Sequence, residues 1–393
     1  MKKNLFYETI YNQNNNFSKE KIKELKHFIR DYEIDEQISK EFPLSMIGKD
    51  DDYIPIKGSK ELIEVFEKID LKKIDFKEKL ENIEFRGVNE DNEVVLNFIP
   101  DKLEAIGTYN FSYNFFDDLF NMGKYEKFCF ENELNDLIED NIKKQFDKFK
   151  DKYRQYRLIK KDNNWYIRAI TSPVYKNYDN NLAIYLALVL LSKLSIDKKI
   201  NFNISKAYIS DSDIRVFFEQ GNYEYIKGVG NVYFGVLLSN SEIKESELSL
   251  ELYYKLVDKN DSNISFIGLK DIKDSIFGIN HTLGIDALIN RVNKVSKLVE
   301  LEKSMLMYIK ELGNIKSVSD NVLYNLMLKI TKSRMLTTKT RDKFKDIHDK
   351  NLINNSMTIL QIFNKVDTIT NNIEEKIQLQ RIYNNVITEL IKK

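Results

Sequence analysis

Basic and aromatic side chains alternate along one predicted β-hairpin, YRQYRLIKKDNNWYIRAITSPVY, whose turn lies at residues 161–164. Cations neutralise phosphates and aromatic rings stack on unpaired bases, so this combination is typical of proteins that bind single-stranded nucleic acid. The predicted nucleic-acid-binding residues are Arg154, Arg157, Lys160, Lys161, Arg168, Lys176, Tyr156, Trp165 and Tyr175. Strand geometry divides the cations between two faces, so a half-buried hairpin with a solvated charged face stays an open alternative.

A second set of residues has the composition of a Mg²⁺-dependent nuclease. Asp211 or Asp213, together with Glu242, would supply two carboxylates for the metal, and Lys244 would orient a water molecule. However, Glu242 directly follows the segment SNS at 239–241, whose composition predicts a solvated turn. The nuclease is therefore kept as an alternative function.

Several familiar active-site motifs are absent from the sequence. It contains no P-loop, and Gly228-Val229-Gly230 lacks the third glycine and the helix start of a dinucleotide-binding motif. The three histidines are far apart, and Cys129 is the single cysteine, which excludes an internal disulfide and favours a reducing compartment. We therefore expect no cofactor, no metal site and no catalytic residue, and we favour a protein that is not an enzyme.

The segment TSPVYKNYDNN, residues 171–181, joins the hairpin to a helix that is apolar on nearly all sides and must therefore be buried. Asp179 or Asn180 is predicted to cap this helix. Helix N-termini attract anions, and Arg168 and Lys176 are close in sequence, so a phosphate site is expected at this corner. Later in the chain, Thr282 is predicted to cap the long helix that follows, with His281 packed beside it.

The elements around these motifs predict an α+β fold. It has N-terminal helices, a central antiparallel sheet with a buried helix (hairpin, helix, then three or four strands) and a C-terminal helical region. The predicted regions are 1–100 (mixed α/β), 101–283 (central α+β core) and 284–393 (helical). In finer detail, we expect a helix capped by Ser18, two strands around a turn at 89–92, and helices separated near Gly123.

The zero net charge conceals a strong asymmetry along the chain. Counting Asp, Glu, Lys and Arg gives −16 for residues 31–140, +8 for 141–176 and +8 for 291–393. Such segments mark either partner-binding surfaces or complementary faces between neighbouring segments or subunits. The longest apolar run, 182–191, is too short to span a bilayer core of about 30 Å, and the N-terminus has no signal-peptide pattern. We therefore predict a cytoplasmic protein with no membrane partner.

Three short motifs occur in order along the middle of the chain: YKNYDN at 175–180, SNSE at 239–242 and NHT at 280–282. Their order and spacing over about residues 100–300 resemble a family of phage- and plasmid-borne proteins catalogued as domain of unknown function 932. This chain has VDKN at 257–260 where the family has a cysteine–asparagine pair, and its first 100 residues differ. The resemblance implies a mobile-element context. The order hairpin, helix, three strands is also similar to the core of Rad52-type single-strand annealing proteins, at the level of fold.

These observations lead to one main functional hypothesis and two alternatives. The main hypothesis is a non-enzymatic nucleic-acid-binding protein of a phage, prophage or plasmid that binds or anneals single-stranded DNA in recombination, working as a homo-oligomer. The first alternative is a mobile-element effector that binds a host or phage protein in antiviral defence or counter-defence, with the acidic region 31–140 as partner surface. The second is the Mg²⁺-dependent nuclease.

Overall fold

The computed structural model describes residues 7–11, 18–270, 276–315 and 318–391. These residues form an α+β structure with two sheets, and the predicted fold class is confirmed. The helices are α1 (Glu33–Glu41), α2 (Ser59–Ile69), α3 (Phe111–Phe120), α4 (Gly123–Glu131), α5 (Asn135–Lys148), α6 (Asn180–Lys198), α7 (Ile285–Val292), α8 (Leu298–Lys310), α9 (Asp320–Lys332), α10 (Thr338–Asp349), α11 (Ile359–Asp367) and α12 (Ile373–Ile391). The strands are β1 (Tyr7–Tyr11), β2 (Lys73–Lys79), β3 (Ile83–Val88), β4 (Val94–Phe98), β5 (Leu103–Gly107), β6 (Tyr153–Lys161), β7 (Asn164–Thr171), β8 (Phe202–Ser210), β9 (Asp213–Ile226), β10 (Gly230–Ser241), β11 (Leu248–Val257), β12 (Ser265–Leu269) and β13 (Phe277–Ile279).

The first sheet has the strand order β1-β8-β9-β10-β11-β12, all antiparallel, and β13 also pairs with β11. One face packs on α6 and on helices from both ends of the chain in the largest hydrophobic core. This placement explains the sequence of α6, because a helix enclosed on all sides needs no polar face. It is the one helix within the described residues that is long and apolar enough to cross a membrane, but 78% of its apolar window is buried inside the protein, as in the core helix of a soluble protein.

The second sheet has the order β2-β6-β7-β5-β4-β3, with β5 and β7 parallel and the other neighbours antiparallel. The predicted hairpin, β6–β7, therefore lies in this sheet, where β2 and β5 flank it, and not with the strands after α6. Helices α3, α4 and α5 cover one face and form a separate core. The prediction of one central sheet missed this partition because it missed β5, whose sequence LEAIG has no regular alternation of apolar and polar residues.

Several local predictions can be compared with the structure. The hairpin turn at 161–164, the strands around residues 89–92 and the helix break at Gly123 are confirmed. The predicted cap at Ser18 is wrong: the short helix in this segment is a 3-10 helix, Ile22–Phe28, with Lys21 at its N-cap position.

The N-terminal part of α12 packs on the second face of the first sheet. Its residues Ile373 and Ile377 pack on Phe217, Leu237 and Tyr253 in a small apolar cluster. Two further residue pairs of β9 and β10 lie on this same face, one on each side of the apolar cluster: Arg215 with Ser239 at one end, and Tyr223 with Tyr233 at the other. The first of these ends is buried, since Arg215 and Ser239 are each 5% exposed, whereas Tyr223 at the other end is 55% exposed.

Candidate binding cleft, buried charge cluster and tyrosine face

A charge cluster of four cations and four carboxylates links the second sheet to the end of β10 and the start of α6. Arg157 contacts Asp179 at 2.7 Å and Asp75 at 3.1 Å. Lys73 lies 3.0 Å from Glu242 and 3.2 Å from Asp70. The cluster is completed by the pairs Arg168–Glu242 and Arg30–Asp70. Its charges balance internally, as is required when ions are removed from water.

A β-bulge directs Arg168 into the charge cluster. Arg157 is paired with Ala169 and Leu158 with Ile167, so Arg168 is the additional residue on β7. Ile167 and Ile170 both face the core under α3–α5, whereas the Arg168 guanidinium meets Glu242 on the other side of the sheet. Strict alternation along the strand cannot predict this arrangement, because a bulge changes the phase.

Glu242 occupies the anion site that the sequence predicted for phosphate. One of its carboxylate oxygens accepts a hydrogen bond from the backbone N–H of Asn180, in the first turn of α6, at 2.9 Å. Burial alone would raise the pKa of Glu242, but Lys73, Arg168 and Arg157 outweigh it and hold that pKa well below its ordinary value. The predicted cap is also corrected, because Asp179 stands at the N-cap position without a capping hydrogen bond and its carboxylate binds Arg157.

The structure does not bring the nine predicted nucleic-acid-binding residues onto one surface. Arg157, Arg168 and Tyr156 are fully buried and Tyr175 is nearly so, since their segment is enclosed between two layers. They therefore present no surface to a phosphate or a base in this conformation. The other five lie at or near the surface: Lys176 is exposed, whereas Arg154, Lys160, Lys161 and Trp165 are half-buried. Lys160 lies 5.9 Å from the Trp165 ring at the hairpin tip.

The residues proposed for a nuclease are held in three different interactions. Both Glu242 oxygens face cations, Asp211 accepts hydrogen bonds from Tyr109 and Ser212, and Lys244 pairs with Asp118 at 2.8 Å. Within the described ranges, no group of three or more His, Cys, Asp or Glu residues is placed to hold a metal ion. The geometry therefore gives no support to the Mg²⁺ site.

The three short sequence motifs meet in space. The rings of Tyr175 and His281 stack at 4.8 Å with an interplanar angle of 7°. The Asn240 side chain donates to the side-chain oxygen of Asn180 at 2.8 Å and to the backbone oxygen of Tyr178 at 2.9 Å. The predicted helix cap at Thr282 is wrong, because α7 begins at Ile285 with Gly284 at the N-cap position. His281 instead packs against the segment that leads into α6.

A cleft of about 690 Å³ opens beside this contact, between the Arg215–Ser239 end of the first sheet and α12. Ser239 and Ser249 line it from the strands, and α12 contributes Glu374, Ile377, Gln378 and Arg381. Its volume lies within the range of roughly 300–1,000 Å³ that is usual for small-molecule sites. Each cation lining it has a carboxylate partner: Arg215 pairs with Glu374, Lys244 with Asp118, and Arg381 with Glu251.

Tyr175 and His281 line the same cleft, and each has one buried polar atom without a partner among the described residues: the Tyr175 hydroxyl and His281 Nε2. His281 Nδ1 lies 3.1 Å from the backbone oxygen of Lys176. Because that oxygen only accepts, Nδ1 carries the proton and Nε2 is an acceptor. Burial lowers the pKa of His281 to about 4, so the ring is neutral at pH 7.

On the opposite side of α12, three tyrosines form an open tyrosine face on the first sheet: Tyr223, Tyr225 and Tyr233. Tyr223 is 55% exposed and Tyr225 50% exposed, and the Tyr223 and Tyr233 rings lie 5.3 Å apart. The Lys255 ammonium lies 5.4 Å from the centre of the Tyr233 ring, and that of Lys259 lies 5.1 Å from the Tyr225 ring. This surface was not predicted from the sequence, although NYEYI at 222–226 carries the signal of two aromatics at alternate positions in a polar strand.

Comparison with protein-family models, with curated proteins and with solved structures finds no match, so the geometry alone identifies these three candidate sites.

Proposed function

We propose that this protein binds single-stranded nucleic acid, without catalysing a reaction on it, through the tyrosine face. The observation that supports this most strongly is the pair of half-exposed tyrosines, Tyr223 and Tyr225, on an open sheet surface beside a third tyrosine and two lysines. Exposed aromatic rings on a sheet are a common platform on which the bases of single strands stack. Every base has a flat face, so this stacking does not depend on the nucleotide sequence.

Stacking rather than charge supplies most of the affinity in this proposal. Lys255 also pairs with Glu219 at 3.2 Å, so its charge is partly compensated, and Lys259 is exposed. If these two lysines contact two phosphates, the slope of log K against log salt is about −1.4 for a single strand. The basic hairpin predicted from the sequence would have given a much steeper dependence.

The biological setting belongs to the same proposal. A homo-oligomer that binds or anneals single-stranded DNA in phage, prophage or plasmid recombination is consistent with the resemblances in the sequence. A cytoplasmic location is consistent with the single cysteine, Cys129, which is buried and free.

The test is binding of the full chain to a fluorescent 20-nucleotide oligothymidylate, measured by anisotropy at several salt concentrations. Tyr223→Ser is compared with Tyr324→Ser, since Tyr324 is 57% exposed on α9 and provides a matched control. We expect wild type to bind with a shallow salt slope, and Tyr223→Ser to bind about 5- to 150-fold more weakly, given about 1–3 kcal/mol per stacked base. The control variant should bind as wild type does.

Two results would refute the proposal. One is the absence of binding at low salt. In that case a pull-down with the immobilised chain tests the effector alternative, which recovery of one protein partner would favour. The other is equal binding by Tyr223→Ser and wild type.

A further inference from the structure

A pocket of about 370 Å³, called the acidic pocket below, lies where α3 and α4 meet the turn before β4. We propose that it binds a small aliphatic diamine, whose ammonium groups contact carboxylates and whose methylene chain contacts aromatic rings. The site is independent of the tyrosine face, because α3 and α4 cover the second sheet and the tyrosine face lies on the first. The acidic and aromatic residues that line the pocket are Glu93, Glu126, Glu131, Tyr109, Tyr113 and Phe130.

The Glu126 carboxylate is the group that calls for a ligand. Glu126 is only 5% exposed, and no hydrogen bond or ion pair with another described residue holds its side chain. Its oxygens are nevertheless not fully enclosed, so they can be reached from the pocket that Glu126 lines. Buried carboxylates are almost always paired, so this one requires a cation from outside the chain.

Glu93 supplies a second carboxylate, which is fixed in position. Its Oε2 accepts a hydrogen bond from Ser112 Oγ at 2.6 Å, and Ser112 Oγ accepts one from the backbone N–H of Val94 at 2.9 Å. Burial raises the pKa of Glu126 to about 7, and the negative charge of Glu93 adds to this effect, whereas Lys127 lowers that pKa. The two carboxylates are therefore close enough to repel each other, and a bound cation would relieve this repulsion.

Aromatic rings flank Glu126 along α4. The Tyr113 ring passes so close to Gly123 that a Cβ there would lie 2.8 Å from two of its atoms. Gly123 precedes Glu126 by three residues and Phe130 follows it by four, so these positions share one face of the helix. Aromatic rings attract organic cations. A metal ion is less suited, since the described part of the chain has no group of three or more His, Cys, Asp or Glu residues placed to hold one.

The charge and size of the pocket favour a small dication. With all groups ionised, three glutamates and Lys127 give the lining a charge of −2. The Lys127 ammonium lies 3.7 Å from the Glu131 carboxylate, and both side chains are exposed at the rim. The volume is near the lower end of the range of roughly 300–1,000 Å³ that is usual for ligand sites. A four-carbon diamine matches both the charge and the volume.

The experiment is isothermal titration of the full chain at pH 8 with 1,4-diaminobutane, butylamine, butan-1-ol and magnesium chloride. We expect the diamine to bind, and butylamine to bind at least about tenfold more weakly, because it lacks one charged contact. Butan-1-ol should not bind, and Mg²⁺ should not displace the diamine. Absence of diamine binding at millimolar concentration, equal binding of butylamine, or displacement by Mg²⁺ would overturn the proposal.

Glu126→Gln tests the carboxylate directly. We expect this variant to be at least as stable as wild type at pH 8, because it removes a buried charge that has no partner, and to bind the diamine at least about tenfold more weakly. Asp136→Asn is the matched control, since Asp136 is an exposed carboxylate on α5 that does not line the pocket. The control should bind as wild type does. Unchanged affinity in Glu126→Gln would contradict the assignment.

The pH dependence of binding provides a second readout for Glu126. The diamine binds the ionised carboxylate, whose pKa is about 7 in the free protein, and alkylammonium groups stay protonated well above pH 8. The affinity of wild type should therefore rise about tenfold between pH 6 and pH 8, whereas that of Glu126→Gln should not change. Equal affinities of wild type at the two pH values would show that Glu126 does not contact the diamine.

Discussion

The β6–β7 hairpin and the distal end of β9–β11 both combine cations with aromatic rings, but the fold uses them in opposite ways. In the hairpin, Arg157 and Arg168 are wholly buried, and carboxylates from distant segments compensate them. At the end of β9, Tyr223 and Tyr225 stay half exposed. The same residue composition therefore supports interior architecture in one sheet and a candidate interaction surface in the other.

The difference shows that cations beside aromatics are weak evidence for nucleic-acid binding until burial is known. The hairpin is enclosed because α3–α5 cover one face of its sheet, and the charge cluster joins its other face to the rest of the molecule. The tyrosine face is open because α12 covers only the neighbouring part of its sheet. Whether the cations and rings of each segment are buried or exposed is decided by the elements that cover it, and these elements lie elsewhere in the chain.

The largest effect is expected from breaking the charge cluster. Glu242→Gln leaves Arg168 and Lys73 without their shared carboxylate, so the free energy of unfolding should fall by about 3–5 kcal/mol in urea denaturation. Asp118→Asn is the control, because Asp118 and its partner Lys244 are both partly exposed, and it should cost less than about 1 kcal/mol. Equal losses in the two variants would show that the cluster has no special structural role.

The second effect is a pH dependence of stability that originates in His281. Burial lowers its pKa from 6.5 to about 4, so the unfolded chain binds the proton more tightly than the folded chain does. The stabilisation is complete above pH 6.5 and is lost as the pH falls toward 4, by about 3 kcal/mol in total. Urea denaturation of wild type and His281→Phe from pH 7.5 to 4 measures it by difference. If the stability of wild type and of His281→Phe changed with pH in parallel, His281 would not be the source of this pH dependence.

A smaller effect concerns the lysines of the tyrosine face. The double variant Lys255→Gln/Lys259→Gln should bind oligothymidylate only a few-fold more weakly at low salt, because stacking supplies most of the affinity. Its slope of log K against log salt should approach zero, since two phosphate contacts account for a slope of about −1.4. Salt titration of both proteins measures this difference. A slope that stays as steep as in wild type would mean that other cations contact the phosphates.

Local patterns predicted much of the fold. The apolar sequence of α6, the polar turn between β6 and β7 and the glycine at the start of α4 each encode their element within a few residues. The partition into two sheets was not predictable in this way. It depends on β5, a short strand that pairs in parallel with β7, more than fifty residues later in the chain.

The candidate sites were less predictable for a physical reason. Whether Arg168 faces solvent or Glu242 depends on one bulge, and a bulge leaves no clear mark in composition. The helix N-terminus was correctly recognised as an anion site, but its anion is the Glu242 carboxylate, sixty-two residues away. The tyrosine face was visible in principle, because Tyr223 and Tyr225 alternate with polar residues. Its exposure, however, depends on where α12 ends its contact with the sheet.

The most direct test of the contrast between the two regions compares two double variants in one oligothymidylate-binding assay. Tyr223→Ser/Tyr225→Ser alters the tyrosine face, and Lys160→Gln/Lys161→Gln alters the tip of the hairpin while leaving the charge cluster intact. We predict that the tyrosine variant loses at least tenfold in affinity and that the hairpin variant binds within about twofold of wild type. The reverse result, full binding without the two tyrosines and loss without the two lysines, would contradict it.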